Sequence, residues 1–149
     1  MNKSTGFTLI EVLIAMVVLA IGLLGLAGLQ VTSLKNNQSA YNRSQATQLA
    51  YDLADRMRAN VAGVAAYPAG TAAVIENCKN TTGCSPADMA VNDLFDWNSA
   101  ISSALPNGGT GTISVTGSVY SITISWAENR DEDTDDVSDI TSFTTSFSL

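Results

Sequence analysis

The chain contains no histidine, only two cysteines and three prolines, and seven basic side chains against fourteen acidic ones. Each shortage excludes something. Without an imidazole there is no histidine base to activate a serine or cysteine nucleophile, and the commonest nitrogen ligand for zinc is missing. A single cysteine pair cannot supply a four-cysteine zinc site. A net charge of −7 argues against nucleic acid, whose binding rests on clustered lysine and arginine displacing counterions. No glycine-rich phosphate cradle is present, and no carboxylate pair falls on an apolar cleft, so a membrane-anchored exported enzyme has little to work with. The first proline is Pro68, so nothing breaks a helix before that point.

What the chain has instead is a long apolar run. From Val12 to Leu29 no residue is charged and none carries a hydrogen-bonding side chain. As a helix this stretch spans about 27 Å, close to the hydrocarbon thickness of a bilayer. It is too long for the apolar core of a secretory signal peptide, and an acid, Glu11, stands near its start. An ionised carboxylate in a membrane span costs on the order of 2–3 kcal/mol unless it lies at the interface or meets a partner. Glu11 therefore needs a reason to be there.

The residues Gly6-Phe7-Thr8-Leu9-Ile10-Glu11-Val12 resemble the class III leader junction of type IV pilins and type II secretion pseudopilins. The resemblance implies a leader of residues 1–6, cleavage by a prepilin peptidase between Gly6 and Phe7, and N-methylation of Phe7. It implies a membrane and filament-core segment at 7–29 and a periplasmic head at 30–149. It also supplies a partner for Glu11, the amino group of Phe7 on a neighbouring subunit. Loss of Lys3 with the leader takes the side-chain charge from −7 to −8.

Beyond the anchor the helix period continues. Ala46, Leu49, Ala50, Leu53, Ala54 and Met57 recur every three or four residues and predict an apolar stripe. Asp52 and Arg56 stand at pairing distance on another face. One helix from about 7 to 60 gives the lollipop form of pilins. Gly22, Gly25 and Gly28 let this helix unwind in a filament, let another helix approach closely, or have no special role.

Residues 59–85 read as irregular. Cys78 and Cys84 lie in a polar loop, and in the oxidising compartment that the resemblance implies, a disulfide between them is the simplest outcome, with reduced structural cysteines as the alternative. Ser85-Pro86-Ala87-Asp88 starts a second helix of about 86–105, amphipathic through Met89, Leu94, Trp97, Ile101 and Leu105. Phe95 and Trp97 read as core rather than as a ligand cage. Strands are predicted at Thr112–Thr116 and Val119–Trp126, joined at Gly117-Ser118, and at Thr141–Leu149 with Phe143, Phe147 and Leu149 on one face. The fold class is α+β, with a small antiparallel sheet of three or more strands over the helix stripe. Between the last two strands, Asp131, Asp133 and Asp135 alternate as calcium ligands do, but the glycine and closing glutamate of a calcium loop are absent. The stretch reads as a solvated connection, with a weak calcium site as the alternative; no other metal and no cofactor is expected.

Three segments resemble the PilV-like minor pilins in order: Gln48 to Asn60, Asp96-Trp97 with Leu105-Pro106-Asn107-Gly108, and Tyr120 to Trp126. The resemblance implies a low-abundance subunit that helps to initiate pilus assembly, at the tip with other minor pilins. Its partners would be those pilins, the major pilin, the prepilin peptidase and the inner-membrane assembly platform. It would wait in the inner membrane as a single-pass protein, then join the extracellular pilus that serves adhesion and twitching motility. A type II secretion minor pseudopilin is the alternative.

Overall fold

The computed structural model describes residues 8–69, 72–128 and 140–149. The leader junction at Gly6 and Phe7, and the aspartates Asp131, Asp133 and Asp135, lie outside them.

The element order is α1 (Leu9–Ala59), α2 (Ala66–Ala69), α3 (Pro86–Ala104), β1 (Thr110–Thr116), β2 (Val119–Ala127) and β3 (Ile140–Ser148). Single 3₁₀ turns at Val61–Gly63 and Glu76–Lys79 occupy the stretch that reads as irregular in sequence. The chain forms two compact units, Met1–Gln38 and Ser39–Leu149.

In the first unit the helix is unbroken through Gly22, Gly25 and Gly28, and no described atom outside the local helix comes near them. Its hydrophobic side chains are all exposed, from Leu9 to Leu34.

In the second unit α1 changes character. Ala46, Ala50, Leu53, Ala54 and Met57 are buried along the predicted stripe, and Asn42 extends it by one turn. Leu49 is half-buried at its margin. The alanines leave room for a large partner, and α3 supplies it. Trp97 is buried, and its indole Nε1 donates to the carbonyl of Leu49 at 2.9 Å. That bond satisfies the one polar atom of an otherwise apolar ring.

Helix α3 starts as its sequence dictates. The hydroxyl of Ser85 accepts from the amide of Asp88 at 3.1 Å and donates to the Asp88 carboxylate at 2.7 Å, with Pro86 at the first helical position. Its buried face is Ala90, Leu94, Trp97 and Ile101, followed by Leu105. The chain reverses at Asn107 and Gly108, both at positive φ.

The sheet order is β1-β2-β3, antiparallel throughout. A two-residue turn, Gly117-Ser118, connects Thr116 to its partner Val119, and Gly117 takes the positive φ of 62° that such turns require. Ile122, Ile124 and Trp126 on β2 are fully buried, flanked by half-buried Ile113, Phe143 and Phe147. The middle of the opposite face is hydroxyl, with rows Thr110–Ser125–Ser142, Thr112–Thr123–Thr144 and Ser114–Ser121–Ser146 running across it between the apolar Val119 at one end and Ala127 and Ile140 at the other. Leu149 departs from its predicted place with the phenylalanines and is exposed. β3 ends at Ser148, whose partner Val119 is the first residue of β2, so no residue of β2 lies opposite Leu149.

Candidate functional site

Two constructions in this molecule are more than packing, and they lie in different units. The first is the bare segment of α1. Within Leu9–Ala59 an 18-residue window has a mean hydropathy of 2.8, and none of it is buried. By length and composition this helix can cross a membrane. Glu11 stands in its first turn, so its carboxylate sits at the positive end of the helix dipole. Phe7, its expected partner in assembly, is outside the described residues.

The second construction is a polar lock beneath the C-terminal end of α1. Asp93 on α3 is buried, and its two oxygens are claimed by different elements. The hydroxyl of Tyr67, on α2, donates to Oδ2 at 2.6 Å. The Arg56 guanidinium, on α1, donates to Oδ1 at 3.2 Å and through Nε to Asp52 at 2.9 Å. The predicted Asp52–Arg56 pair thus forms, and Arg56 also reaches across to α3. Burial works to lower the affinity of Arg56 for its proton, but the carboxylates of Asp52 and Asp93 raise it on balance. Burial, seconded by the bond to Asp93, drives the Tyr67 phenol well above the ordinary range. A buried carboxylate with an arginine on one oxygen and a phenol on the other has a donor for each; removing either would leave one of those oxygens without it.

Neighbouring contacts close the same corner. Asn60 donates to the carbonyl of Pro86 at 2.8 Å. Gly63 lies so close to that carbonyl that any Cβ would collide with it. The carboxamide oxygen of Asn92 accepts from the amide of Ile75 at 3.1 Å, fixing the connection ahead of the disulfide loop. Cys78 and Cys84 are bonded to each other. Far from this corner, about four to five turns back along α1, Glu128 is a second buried carboxylate, taking the indole N–H of Trp126 at 2.9 Å and the hydroxyl of Ser39 at 3.0 Å.

Sequence periodicity finds the apolar stripes but not this lock, because Asp93, Asn92 and Tyr67 read as surface residues one at a time. A signal did exist. Asp93 falls between Ala90 and Trp97 at helical spacing, on the face that α3 buries. Among the described residues no group of histidine, cysteine, aspartate or glutamate could hold a metal ion.

Comparison with known families covers the chain from its start to α3. Residues 1–27 match the prokaryotic N-terminal methylation motif, and residues 28–95 match the model described as type IV pilin Tt1218. The chain belongs to the type IV pilin family. The pilin's two matched stretches meet inside α1, so one helix carries both the methylation-motif segment and the start of the pilin-specific region. No curated protein and no solved structure matches this pilin. Membership indicates a structural protein rather than an enzyme, and a prepilin signal implies processing by a prepilin peptidase and assembly with pilus components. The apolar helix with that signal suits membrane anchoring followed by incorporation.

Proposed function

We propose that this pilin is a low-abundance minor pilin of the PilV-like kind, which helps to initiate type IV pilus assembly. The observation that carries the reading is the bare apolar segment of α1 with Glu11 as its one acid. Such a surface must be covered, by lipid before assembly and by the helices of other pilins afterwards. Cleavage after Gly6 frees the amino group of Phe7, which is then methylated. As the subunit enters the filament, the Glu11 carboxylate meets the Phe7 amino group of its neighbour, and in an apolar surrounding either charge left alone is costly. The head, on the periplasmic side of the inner membrane until then, travels into the pilus with other minor pilins and the major pilin. A type II secretion pseudopilin would share leader and helix; the pilin Tt1218 match over residues 28–95 favours the pilus.

The test combines mass spectrometry with pilus purification. With a prepilin peptidase the mature chain is expected to begin at methylated Phe7. Glu11→Ala should be processed normally yet fall at least about tenfold in sheared pili, as an unpaired buried charge demands. Deleting the chain should reduce the number of pili while the other pilins remain in the membrane. A chain that keeps residues 1–6 beside an active peptidase, or undiminished Glu11→Ala in pili, would overturn the reading.

A further inference from the structure

Strand β3 has a property that assembly through α1 does not use. It lies at the edge of the sheet, and among the described residues no strand pairs with its outer side. Over Ile140–Ser148 it has no charge and no proline, two of the devices that ordinarily keep sheet edges from pairing with other chains. Phe143 and Phe147, on its inner face, are only half-buried.

The strand is also self-complementary. Laid antiparallel against itself about Thr145, it sets Thr145 opposite Thr145, Thr144 opposite Ser146, Phe143 opposite Phe147 and Ser142 opposite Ser148. Residues opposed in an antiparallel pair share a face, so the phenylalanines meet on the core side and the hydroxyls on the outer side. The molecule already makes hydroxyl pairs of this kind inside the sheet, Ser121 with Ser146 at 2.8 Å and Thr123 with Thr144 at 2.9 Å. Other registers lose the match. A shift of two residues sets phenylalanine against Thr145 together with Thr141 or Leu149, and a shift of one turns the phenylalanines to the wrong face.

We infer that β3 pairs with β3 of a second copy of this chain about a two-fold axis at Thr145, giving a continuous six-stranded sheet. The pairing is isologous, so it closes at two copies and does not propagate. It needs neither the leader nor Glu11, and it stands or falls apart from the minor-pilin reading.

The full-length protein in detergent is expected to scatter light as two copies. In membranes, oxidation of a Thr145→Cys variant should give a dimer on a non-reducing gel, while Thr112→Cys on the opposite edge gives little. Thr144→Lys with Ser146→Lys, which sets lysines opposite each other on the exposed face, should yield single copies that still melt cooperatively, whereas Thr144→Ala with Ser146→Ala, which loses the same pairs to Thr123 and Ser121 but adds no charge, should remain two copies. A wild-type protein that stays single at all concentrations, equal cross-linking at residues 112 and 145, or a dimer that survives the double-lysine variant would each overturn the proposal.

Discussion

Helix α1 is one element with two kinds of surface. From Leu9 to Leu34 its hydrophobic side chains are exposed, whereas from Asn42 to Met57 one face is buried. Both stretches are helical, although the first, with Gly22, Gly25, Gly28 and its valines and isoleucines, has the weaker intrinsic helix propensity. The difference is side-chain size and arrangement. Large aliphatic residues all around the helix ask for an apolar solvent, while a stripe of alanines asks for one bulky neighbour, and Trp97 is that neighbour. The lesson is that amphipathicity is not needed along a whole helix, only where the protein itself must supply the cover.

The comparison breaks most sharply with one chemical change made twice. Leu53→Ala, at a fully buried position, should cost about 2–5 kcal/mol and lower the melting temperature of the second unit by several degrees or more. Leu19→Ala, at an exposed position of the same helix, should leave that melting temperature unchanged in detergent. Equal effects would mean that the two stretches do not differ as described.

Next in size is Gly111→Ala. A Cβ there would run into the indole of Trp97, so the ring or β1 must move, at about 1–3 kcal/mol. Restored stability on combining it with Trp97→Phe would identify the collision as the cause.

Tyr67→Phe removes the phenol bond to a buried carboxylate and should cost about 1–2 kcal/mol. The same bond gives a pH signature. The folded phenol holds its proton above the unfolded value, so this contribution is complete below about pH 10 and is lost as pH rises toward the folded value. Ultraviolet titration should show a late-ionising tyrosine that Tyr67→Phe abolishes, and stability at alkaline pH should fall less in the variant than in the parent. The smallest effect belongs to Asp52→Asn. Its pair with Arg56 is solvent-exposed, and the loss should be about 0.5 kcal/mol or less and fade in salt.

Much of this architecture is legible in sequence because it is local. The Ser85–Asp88 cap, the alanine stripe, the Gly117-Ser118 turn and the strand alternation each involve residues within a few positions of one another. Asp52 and Arg56 are legible for the same reason. The lock is not, because its partners are 26 and 37 residues apart in the chain. Asp93 shows its role only when α2 and α1 arrive beside it. Gly63 is similar: its need for glycine comes from the Pro86 carbonyl, far along the chain. The short turns at Val61–Gly63 and Glu76–Lys79 carry no periodic signal, being single turns held by their ends. Of the proposed assembly site, the uncharged apolar segment and the acid Glu11 at its start are plain in the sequence, whereas the role of Glu11 rests on the resemblance of Gly6 to Val12 to a pilin leader junction.

The hydroxyl face of the sheet has a consequence for how the pilin's surface responds to its medium. The described strands contain no charged residue, although the chain carries a net charge of −7. Fields from acids elsewhere decay over about 8 Å at physiological ionic strength. Contacts made through the hydroxyl rows are therefore governed by the fit of hydroxyl to hydroxyl, and brine or fresh water should alter them little.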